Sequence, residues 1–196
     1  MAAWEEKALA MVEDLNKRIA SATAIKFPEK RVIFGEGNAE AKIMLIGEAP
    51  GGDEEAQGRP FVGKAGKNLM EFLTSLSLCR HELYITNVVK IRPCCISSKT
   101  GKIINRSPNR TELDFFTPFI FDEIKTISPQ LAVTLGNVPL RILLGNENAS
   151  IGNYHGKIIC HDDMRIFPLY HPAAVIYNRN LEEVYRRDLD TLGKNL

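Results

Sequence analysis

The chain has 196 residues, of which 44% are hydrophobic and 25% charged, and its formal net charge is +1. This composition is ordinary for a globular protein, and the length fits one domain (residues 1–196) better than two. No apolar run is long enough to cross a bilayer, and the N-terminus has no signal-peptide profile. We therefore expect a cytoplasmic protein without a membrane partner.

The four cysteines are irregularly spaced, which is typical of reduced thiols in the cytoplasm rather than of a disulfide framework. They are Cys79, Cys94, Cys95 and Cys160. The adjacent pair Cys94–Cys95 leaves a redox or metal-binding role open, although no Cys-x-x-Cys motif accompanies it.

In chain order, residues 1–23 predict an amphipathic helix, because apolar side chains recur there at spacings of three and four. That face consists of Trp4, Ala8, Val12, Leu15 and Ile19. A turn-rich connection at residues 27–41 leads into alternating strands and helices. Strands are predicted at residues 42–47, 83–89 and 131–136, a hairpin-like pair at 157–160 and 165–169, and helices at 67–78, 111–127, 138–144 and from 181 onward. The helix at 111–127 contains Pro118, where we expect a bend or a restart.

The alternation of strands and helices predicts an α/β fold, with a mostly parallel sheet covered by helices on both faces. In such sheets ligands bind outside the carboxyl ends of the strands. Polar residues fall at those ends, namely Gly47-Glu48, Asn87, Gly136-Asn137 and His171. We therefore expect one cleft to receive all of them.

Each of these residues also has an ordinary structural interpretation. A glutamate after a strand is usually solvated, an asparagine often satisfies nearby backbone, and most single histidines are structural. Phe61 would normally belong to the core, yet it lies in a loop punctuated by glycine and proline, where a ring can stack on a planar ligand. The amide of Asn87 carries the donors and acceptor needed to read the edge of a base. Their combination favours a binding site.

The small net charge hides a cationic segment at residues 90–110. It contains Lys90, Arg92, Lys99, Lys102, Arg106 and Arg110 and no acidic residue. Without these six, 19 basic residues remain against 24 acidic ones, a net charge of −5. The segment is typical of a local polyanion contact or of a flexible, solvated loop, and charge alone leaves both interpretations open.

Five sequence blocks, in order, resemble the uracil-DNA glycosylase superfamily. They are GEAPGGDEEAQGRPFVGKAG, TNVVKIRP, NRSPNRTEL, LAVTLG and LYHPAAV, and they are most similar to the bacterial and archaeal family 4 enzymes. The resemblance covers residues 31–189 and implies a three-layer α/β/α sandwich around a central four-stranded, mostly parallel sheet. It also implies a DNA-repair enzyme that hydrolyses uracil from uracil-containing DNA, leaving an abasic site and free uracil.

The resemblance further implies roles for individual residues. Glu48 would lie near the attacking water, Phe61 would stack on the extruded uracil, and Asn87 would bind the Watson–Crick edge of that base. His171 would stabilise the anionic base at O2, and Gly47 and Ala49 would complete the pocket. Residues 173–179 would form a loop that wedges into the duplex. The implied DNA contacts are Pro50 and Gly51; Gly63, Lys64 and Gly66, which would accept a phosphate near a helix start; and Lys90, Arg92, Pro172, Ala173 and Arg179.

The chain departs from family 4 at the positions of an iron–sulfur cluster. Family 4 enzymes typically bind a [4Fe–4S] cluster through four cysteines. Here no cysteine precedes residues 32–37, Ile91 directly follows NVVK, and Phe115 and Phe116 stand at the helix position. The adjacent pair Cys94–Cys95 cannot replace a four-point cage. We therefore predict no cluster, no other metal and no cofactor, with the first helix supplying the packing instead.

A second departure is the longer stretch at residues 94–105, which we predict to be an insertion loop that alters DNA contact or substrate range. In one branch of the superfamily, an insertion near this point carries a histidine that bonds to the abasic sugar. No histidine occurs between Arg92 and Asn153, so that chemistry is not expected. Glu48 is also a weaker activator of water than the aspartate of the most active relatives.

Three functions are compatible with these features. The first is a monofunctional uracil-DNA glycosylase that acts as a monomer. The second is a catalytically weak or inactive superfamily member that binds nucleic acid; the joint presence of Glu48, Phe61, Asn87 and His171 argues against it. The third is an unrelated nucleotide- or phosphate-binding module, which the lack of a GxGxxG or GxxxxGK[ST] motif disfavours.

Overall fold

The computed structural model describes residues 3–196, so Met1 and Ala2 of the predicted first helix lie outside the described residues. The helices are α1 (Ala3–Lys26), α2 (Gly52–Gln57), α3 (Lys64–Ser75), α4 (Arg110–Ile127), α5 (Asn137–Leu144), α6 (Ile151–Tyr154), α7 (Pro172–Tyr177) and α8 (Leu181–Gly193). The strands are β1 (Glu36–Gly37), β2 (Ile43–Gly47), β3 (Tyr84–Asn87), β4 (Cys94–Ile96), β5 (Ile103–Asn105), β6 (Leu131–Leu135), β7 (Ile159–His161) and β8 (Met164–Leu169).

The main sheet is mixed and has the strand order β1-β3-β2-β6-β8-β7. Its four central strands, β3, β2, β6 and β8, are parallel, as the sequence predicts. Two short strands extend this core to six, because β1 pairs antiparallel with β3 and β7 pairs antiparallel with β8. The parallel arrangement places the carboxyl ends of all four central strands at one edge.

Helices cover both faces of the sheet, which confirms the predicted α/β architecture. The alternating residues of β2 show how the two layers are separated. Met44 and Ile46 belong to a core cluster formed with α1 and α4. Ile43 and Leu45 belong to a second cluster formed with α3 and α8. A strand buried on both faces reads as a continuous apolar run, and this explains why β2 and β6 were recognisable in the sequence.

The helix α1 packs on α4 through the later part of its predicted apolar face. Val12, Leu15 and Ile19 are buried, whereas Trp4 remains 58% exposed. None of the described helices combines the length and apolar character needed to span a membrane.

Of the two alternatives predicted at Pro118, a restart of α4 is wrong, whereas a bend stays a prediction. The helix runs without interruption from Arg110 to Ile127, with Pro118 inside it. A proline lacks an N–H group and leaves the carbonyl four residues earlier without its helical partner. Here both Pro118 and Asp114 are exposed, where water can satisfy that carbonyl.

Residues 94–105, predicted as an insertion loop, form a β-hairpin. β4 and β5 pair antiparallel, with Cys94 opposite Asn105 and Ile96 opposite Ile103. Gly101 adopts a positive φ of 66° in the connecting turn, a conformation that glycine reaches without steric cost. β-Branched isoleucines on both strands favour the extended conformation.

The segment after His171, predicted as a loop over residues 173–179, begins as the short helix α7. His171 is its N-cap and Pro172 its first residue, a position where the missing N–H of proline costs nothing. Residues 178–180 then connect α7 to α8. Part of the predicted loop is therefore helical because the Pro172 ring sets a helical φ.

Candidate active site

The polar residues that follow the strands meet at the carboxyl edge of the sheet. Gly47 at the end of β2 is in register with Asn87 at the end of β3. On the other side of β2, the amide of Gly136 after β6 donates to the carbonyl of Leu169 at the end of β8. These pairings bring the turn after β2, Asn87 and His171 to one edge.

A cavity of about 510 Å³ opens there, within the usual range for small-ligand sites. The predicted residues that line it are Ala49, Gly51, Phe61, Gly63, Lys64, Asn87, Arg92, His171 and Ala173. The predicted residues outside its lining are Gly47, Glu48, Pro50, Gly66, Lys90, Pro172 and Arg179. Sequence reasoning missed Asp53, Glu54, Ile103, Ile104 and Asn105, which also line it. Asp53 and Glu54 could have been found from the sequence, because they belong to an acidic run that directly follows Gly51-Gly52.

Gly47 allows Phe61 and Asn87 to approach each other. A Cβ atom at position 47 would lie 2.4 Å from Oδ1 of Asn87 and 2.5 Å from Cζ of Phe61. Any other residue would therefore push the ring or the amide out of place. Within the described residues, no protein group hydrogen-bonds the side-chain amide of Asn87, which leaves its donors and acceptor available to a ligand.

Phe61 has a strained backbone, with a φ of 52°. Such a conformation in a bulky residue costs about 1–3 kcal/mol and persists only where surrounding contacts impose it. Arg80 provides some of them, because its guanidinium donates to the carbonyl of Pro60 at 2.7 Å and to that of Phe61 at 3.3 Å. The ring is 7% exposed, and its centroid lies 6.3 Å from that of His171.

Glu54 joins the turn after β2 to the start of α3. Its carboxylate accepts hydrogen bonds from the backbone N–H groups of Gly51 at 3.1 Å, Val62 at 3.1 Å and Gly63 at 2.9 Å. The N–H of Gly63 is thus committed to a protein carboxylate, and Gly66 is buried against the carbonyl of Phe61. The predicted phosphate site at this helix start therefore keeps only Lys64 as an exposed member.

His171 is held as a neutral donor. Its Nδ1 accepts the backbone N–H of Ala173 at 3.2 Å, which places the ring proton on Nε2. Burial lowers the pKa of His171 below that of an ordinary histidine, and the charge of Glu54 opposes this effect only in part. Near neutral pH the ring can therefore donate one hydrogen bond to a ligand oxygen without carrying a positive charge.

Glu48 is only partly exposed, and its carboxylate lies beside Ser107. Burial raises the pKa of Glu48, and a hydrogen bond with Ser107 acts in the opposite direction. The residue directly follows Gly47 in the turn after β2, and the backbone N–H of Val89 donates to its carbonyl at 3.0 Å. Glu48 therefore adjoins the cavity, although its side chain is not part of the lining.

Lys90 lies in the protein interior, which is incompatible with its predicted DNA contact. Its side chain is fully buried and forms an ion pair with Glu123 of α4. The ammonium group also donates to Oγ1 of Thr86 at 2.5 Å and to the carbonyl of Asn87 at 2.7 Å. Burial lowers the pKa of Lys90, against the opposing influence of Glu123. Lys90 instead supports the end of β3 from beneath the cavity.

The other predicted DNA contacts differ in their accessibility. Arg92 lines the cavity, but it pairs with Glu55 at 2.9 Å and donates from Nε to Oδ1 of Asn105 at 2.8 Å. Pro172 is buried at the start of α7, whereas Arg179 is exposed after that helix.

Ile91, Phe115 and Phe116, which stand where the family resemblance places cluster ligands, have apolar side chains. The ring of Phe27 lies 5.2 Å from Phe115 and 6.0 Å from Phe116, and the latter two rings are 4.8 Å apart. Ile91 is fully buried in the same core cluster. No group of three or more metal-ligating side chains occurs among the described residues. Apolar side chains cannot ligate iron, so residues 91, 115 and 116 do not fit an iron–sulfur cluster.

The fold and the site together define an α/β protein with a cavity at the carboxyl edge of its sheet, lined by Phe61, Asn87 and His171 among others. Residues 34–192 match the uracil DNA glycosylase superfamily. The chain therefore belongs to that superfamily.

Its relatives include several type-4 uracil-DNA glycosylases. The protein of Saccharolobus solfataricus is 38% identical over 167 residues, which is 81% of this chain and 73% of the relative. That of Sulfurisphaera tokodaii is 35% identical over 187 residues, 90% of this chain and 81% of the relative. That of Thermotoga maritima is 33% identical over 175 residues, 88% of this chain and 86% of the relative.

Proposed function

We propose that the protein is a monofunctional uracil-DNA glycosylase that acts as a monomeric single domain. The observation that carries this proposal is the convergence of Phe61, Asn87 and a neutral His171 on one cavity at the carboxyl edge of the sheet. A glycosylase must bind an extruded base in a snug pocket and read its edge. The similarity to type-4 uracil-DNA glycosylases supports uracil as that base.

In the proposed mechanism the pocket first holds the base and then stabilises the charge that develops on it. Phe61 stacks on the uracil ring, while the amide of Asn87 accepts from N3–H and donates to O4. When the glycosidic bond breaks, its electron pair moves onto the base and places negative charge at O2. The Nε2–H of His171 donates to that oxygen, and such a pre-oriented donor lowers the barrier because the charge forms only in the transition state.

The sugar carbon left behind is electron-deficient and is attacked by water. We assign the activation of this water to Glu48, whose ionised carboxylate accepts the proton as the new C–O bond forms. The products are free uracil and an abasic site. Lys64, Arg92 and Arg179 would contact the phosphates of the flanking DNA, where lysine and arginine supply most of the affinity.

The test is excision from single- and double-stranded oligonucleotides that contain one uracil, followed by alkaline cleavage of abasic sites. We expect strand scission above the level of an Asn87→Ala protein, together with release of free uracil. Scission no greater than in that control would contradict the proposal.

Comparing Glu48→Gln with Asp53→Asn tests the assignment of water activation, because Asp53 is the exposed carboxylate of the cavity lining. Loss in the second variant alone would transfer the role to Asp53.

One observation favours the alternative of a weak or inactive member that binds nucleic acid. The side chain of Glu48 lies outside the cavity lining. This alternative predicts that the protein binds uracil-containing oligonucleotides but releases no uracil. The same assay distinguishes it from the enzyme, provided that binding is measured in parallel.

Replacing Ser107 by alanine is expected to move the acid limb of the kcat–pH profile to higher pH. Burial already raises the pKa of Glu48, and the hydrogen bond with Ser107 lowers it. Removing that bond raises the pKa further, so the active carboxylate form is lost at a higher pH as the solution is acidified. Profiles of the wild type, of Ser107→Ala and of Ser98→Ala, an exposed serine in the turn between β4 and β5, provide the measurement. A limb that stays in place, or moves to lower pH, contradicts the assignment of Glu48.

We also propose that the protein folds and acts without an iron–sulfur cluster. The apolar side chains of Phe27, Ile91, Phe115 and Phe116 would stabilise this region through the hydrophobic effect in place of the metal cluster. Anaerobically purified protein is expected to contain substoichiometric iron and sulfide and to lack the visible absorbance of a cluster. Its unfolding midpoint should not change with a chelator, since no metal binding is coupled to folding. Stoichiometric iron, or a midpoint lowered by chelation, would overturn this proposal.

A further inference from the structure

The hairpin formed by β4 and β5 is a wall of the cavity with an unpartnered apolar surface. Ile103, Ile104 and Asn105 line the same cavity as Asn87 and His171. Among them Ile103 is 62% exposed and Ile104 is 44% exposed. Ile96, the cross-strand partner of Ile103, is 74% exposed. Clustered exposed apolar side chains beside a pocket are typical of an interaction surface.

The base of the hairpin is firmly anchored to the body of the protein. Arg92 holds it through Asn105 at 2.8 Å and is itself held by Glu55 at 2.9 Å. Beside this contact, Nζ of Lys30 lies 3.3 Å from Sγ of Cys94. Directly after β5, Arg106 forms a bidentate pair with Glu112, with both distances 2.7 Å. A hairpin held on both strands can present its outer part in a defined position.

The outer part of the hairpin carries positive charge that the protein does not neutralise. Lys99 and Lys102 lie in the turn and are exposed, and no ion pair to either occurs among the described residues. Residues 91–111 contain no aspartate or glutamate. These exposed lysines and isoleucines adjoin a pocket that we propose binds a nucleotide. Their chemistry is complementary to that of a DNA strand. Such a strand offers phosphates to the lysines and sugar and base surfaces to the isoleucines.

We propose that this hairpin grips the DNA strand next to the extruded nucleotide. Ile103 and Ile104 pack against the neighbouring sugar and base, while Lys99 and Lys102 contact phosphates of the same strand. This inference rests on the proposed function. It extends that function to residues 94–105, the stretch that is longer here than in the family 4 enzymes. The hairpin serves to position DNA and takes no part in the chemical step.

The test uses two double variants, Ile103→Ser with Ile104→Ser and Lys99→Gln with Lys102→Gln. The probes are a fluorescein-labelled oligonucleotide carrying an abasic analogue, for binding, and a uracil-containing oligonucleotide, for excision. The controls are Leu9→Ser on α1, where Leu9 is 46% exposed against 44% for Ile104, and Lys125→Gln on α4. Neither control residue lines the cavity. All substituted side chains are exposed, so thermal midpoints near that of the wild type are expected.

For the isoleucine variant we expect Kd and KM to rise roughly tenfold, from the loss of apolar contact, with kcat unchanged. For the lysine variant we expect the slope of log K against log salt to become shallower by about 1.4–1.8, because two phosphate contacts are lost. Wild-type Kd and salt slope in both variants would overturn the proposal. If the wild-type protein binds the probe but excises no uracil, the enzyme proposal fails by itself, and the binding results still decide for or against the hairpin.

Discussion

Replacing Asn87 by alanine is expected to lower kcat/KM for uracil excision by about 10²–10³-fold, the usual effect of removing one pre-oriented hydrogen-bonding group from an active site. Asn87 is 4% exposed, lies at the end of β3 and contacts the position of Gly47. Its amide has no protein partner within the described residues. The interaction with a base would therefore be lost outright and not redistributed.

A matched control for this variant is Asn38→Ala. Asn38 is exposed, and its backbone N–H donates to Leu83 next to the opposite end of β3, so excision should stay at the wild-type level. Asn87→Asp separates recognition from packing, because it keeps the shape of the side chain but replaces the donor to O4 by an acceptor. A nearly active aspartate variant would contradict the proposed reading of the uracil edge.

Replacing Lys90 by methionine is expected to lower the free energy of unfolding by about 3–5 kcal/mol, since it leaves the carboxylate of Glu123 buried without its counter-charge. The side chain of Glu123 is 1% exposed and retains only its hydrogen bonds from Tyr84 at 2.9 Å and from Thr86. Denaturant titration monitored by circular dichroism gives the measurement.

Two further variants make this prediction specific. Arg18→Met removes an ion pair to Asp122, the neighbour of Glu123 on α4, but that pair is exposed (56% and 44%). It should cost at most about 1 kcal/mol. Replacing both buried partners, as in Lys90→Met with Glu123→Leu, should recover most of the stability because no unpaired charge remains. Equal losses in Lys90→Met and Arg18→Met would show that the Lys90 pair is not a special stabilising element.

The parallel core of the sheet was predictable from the sequence because buried strands carry a local signal. Apolar runs marked β2 and β6, and helical periodicity marked α4. Since strand ends in a parallel sheet share one edge, the predicted convergence of Asn87 and His171 followed from topology alone.

Other features depended on partners distant in sequence and were therefore missed or wrongly assigned. Lys90 stands in a cationic segment and was predicted to contact DNA, but its partner Glu123 is 33 positions away. The hydrogen bond from the backbone N–H of Gly63 to the carboxylate of Glu54 joins residues nine positions apart. Residues 94–105 were recognised in the sequence as an insertion. Their strand pairing and their position in the cavity wall became visible only in the tertiary structure.

By itself, the sequence determined the fold class, the family blocks and the residues that we propose for the uracil pocket, because these depend on short-range patterns and on the order of motifs. Only the tertiary structure decided which charged groups face solvent. The free energy of an ionised side chain depends on its burial and on its counter-charge, and folding alone brings these together. The tertiary structure buries Lys90 beneath Asn87 and leaves Lys99 and Lys102 exposed. It also places the isoleucines of β5 in the cavity wall.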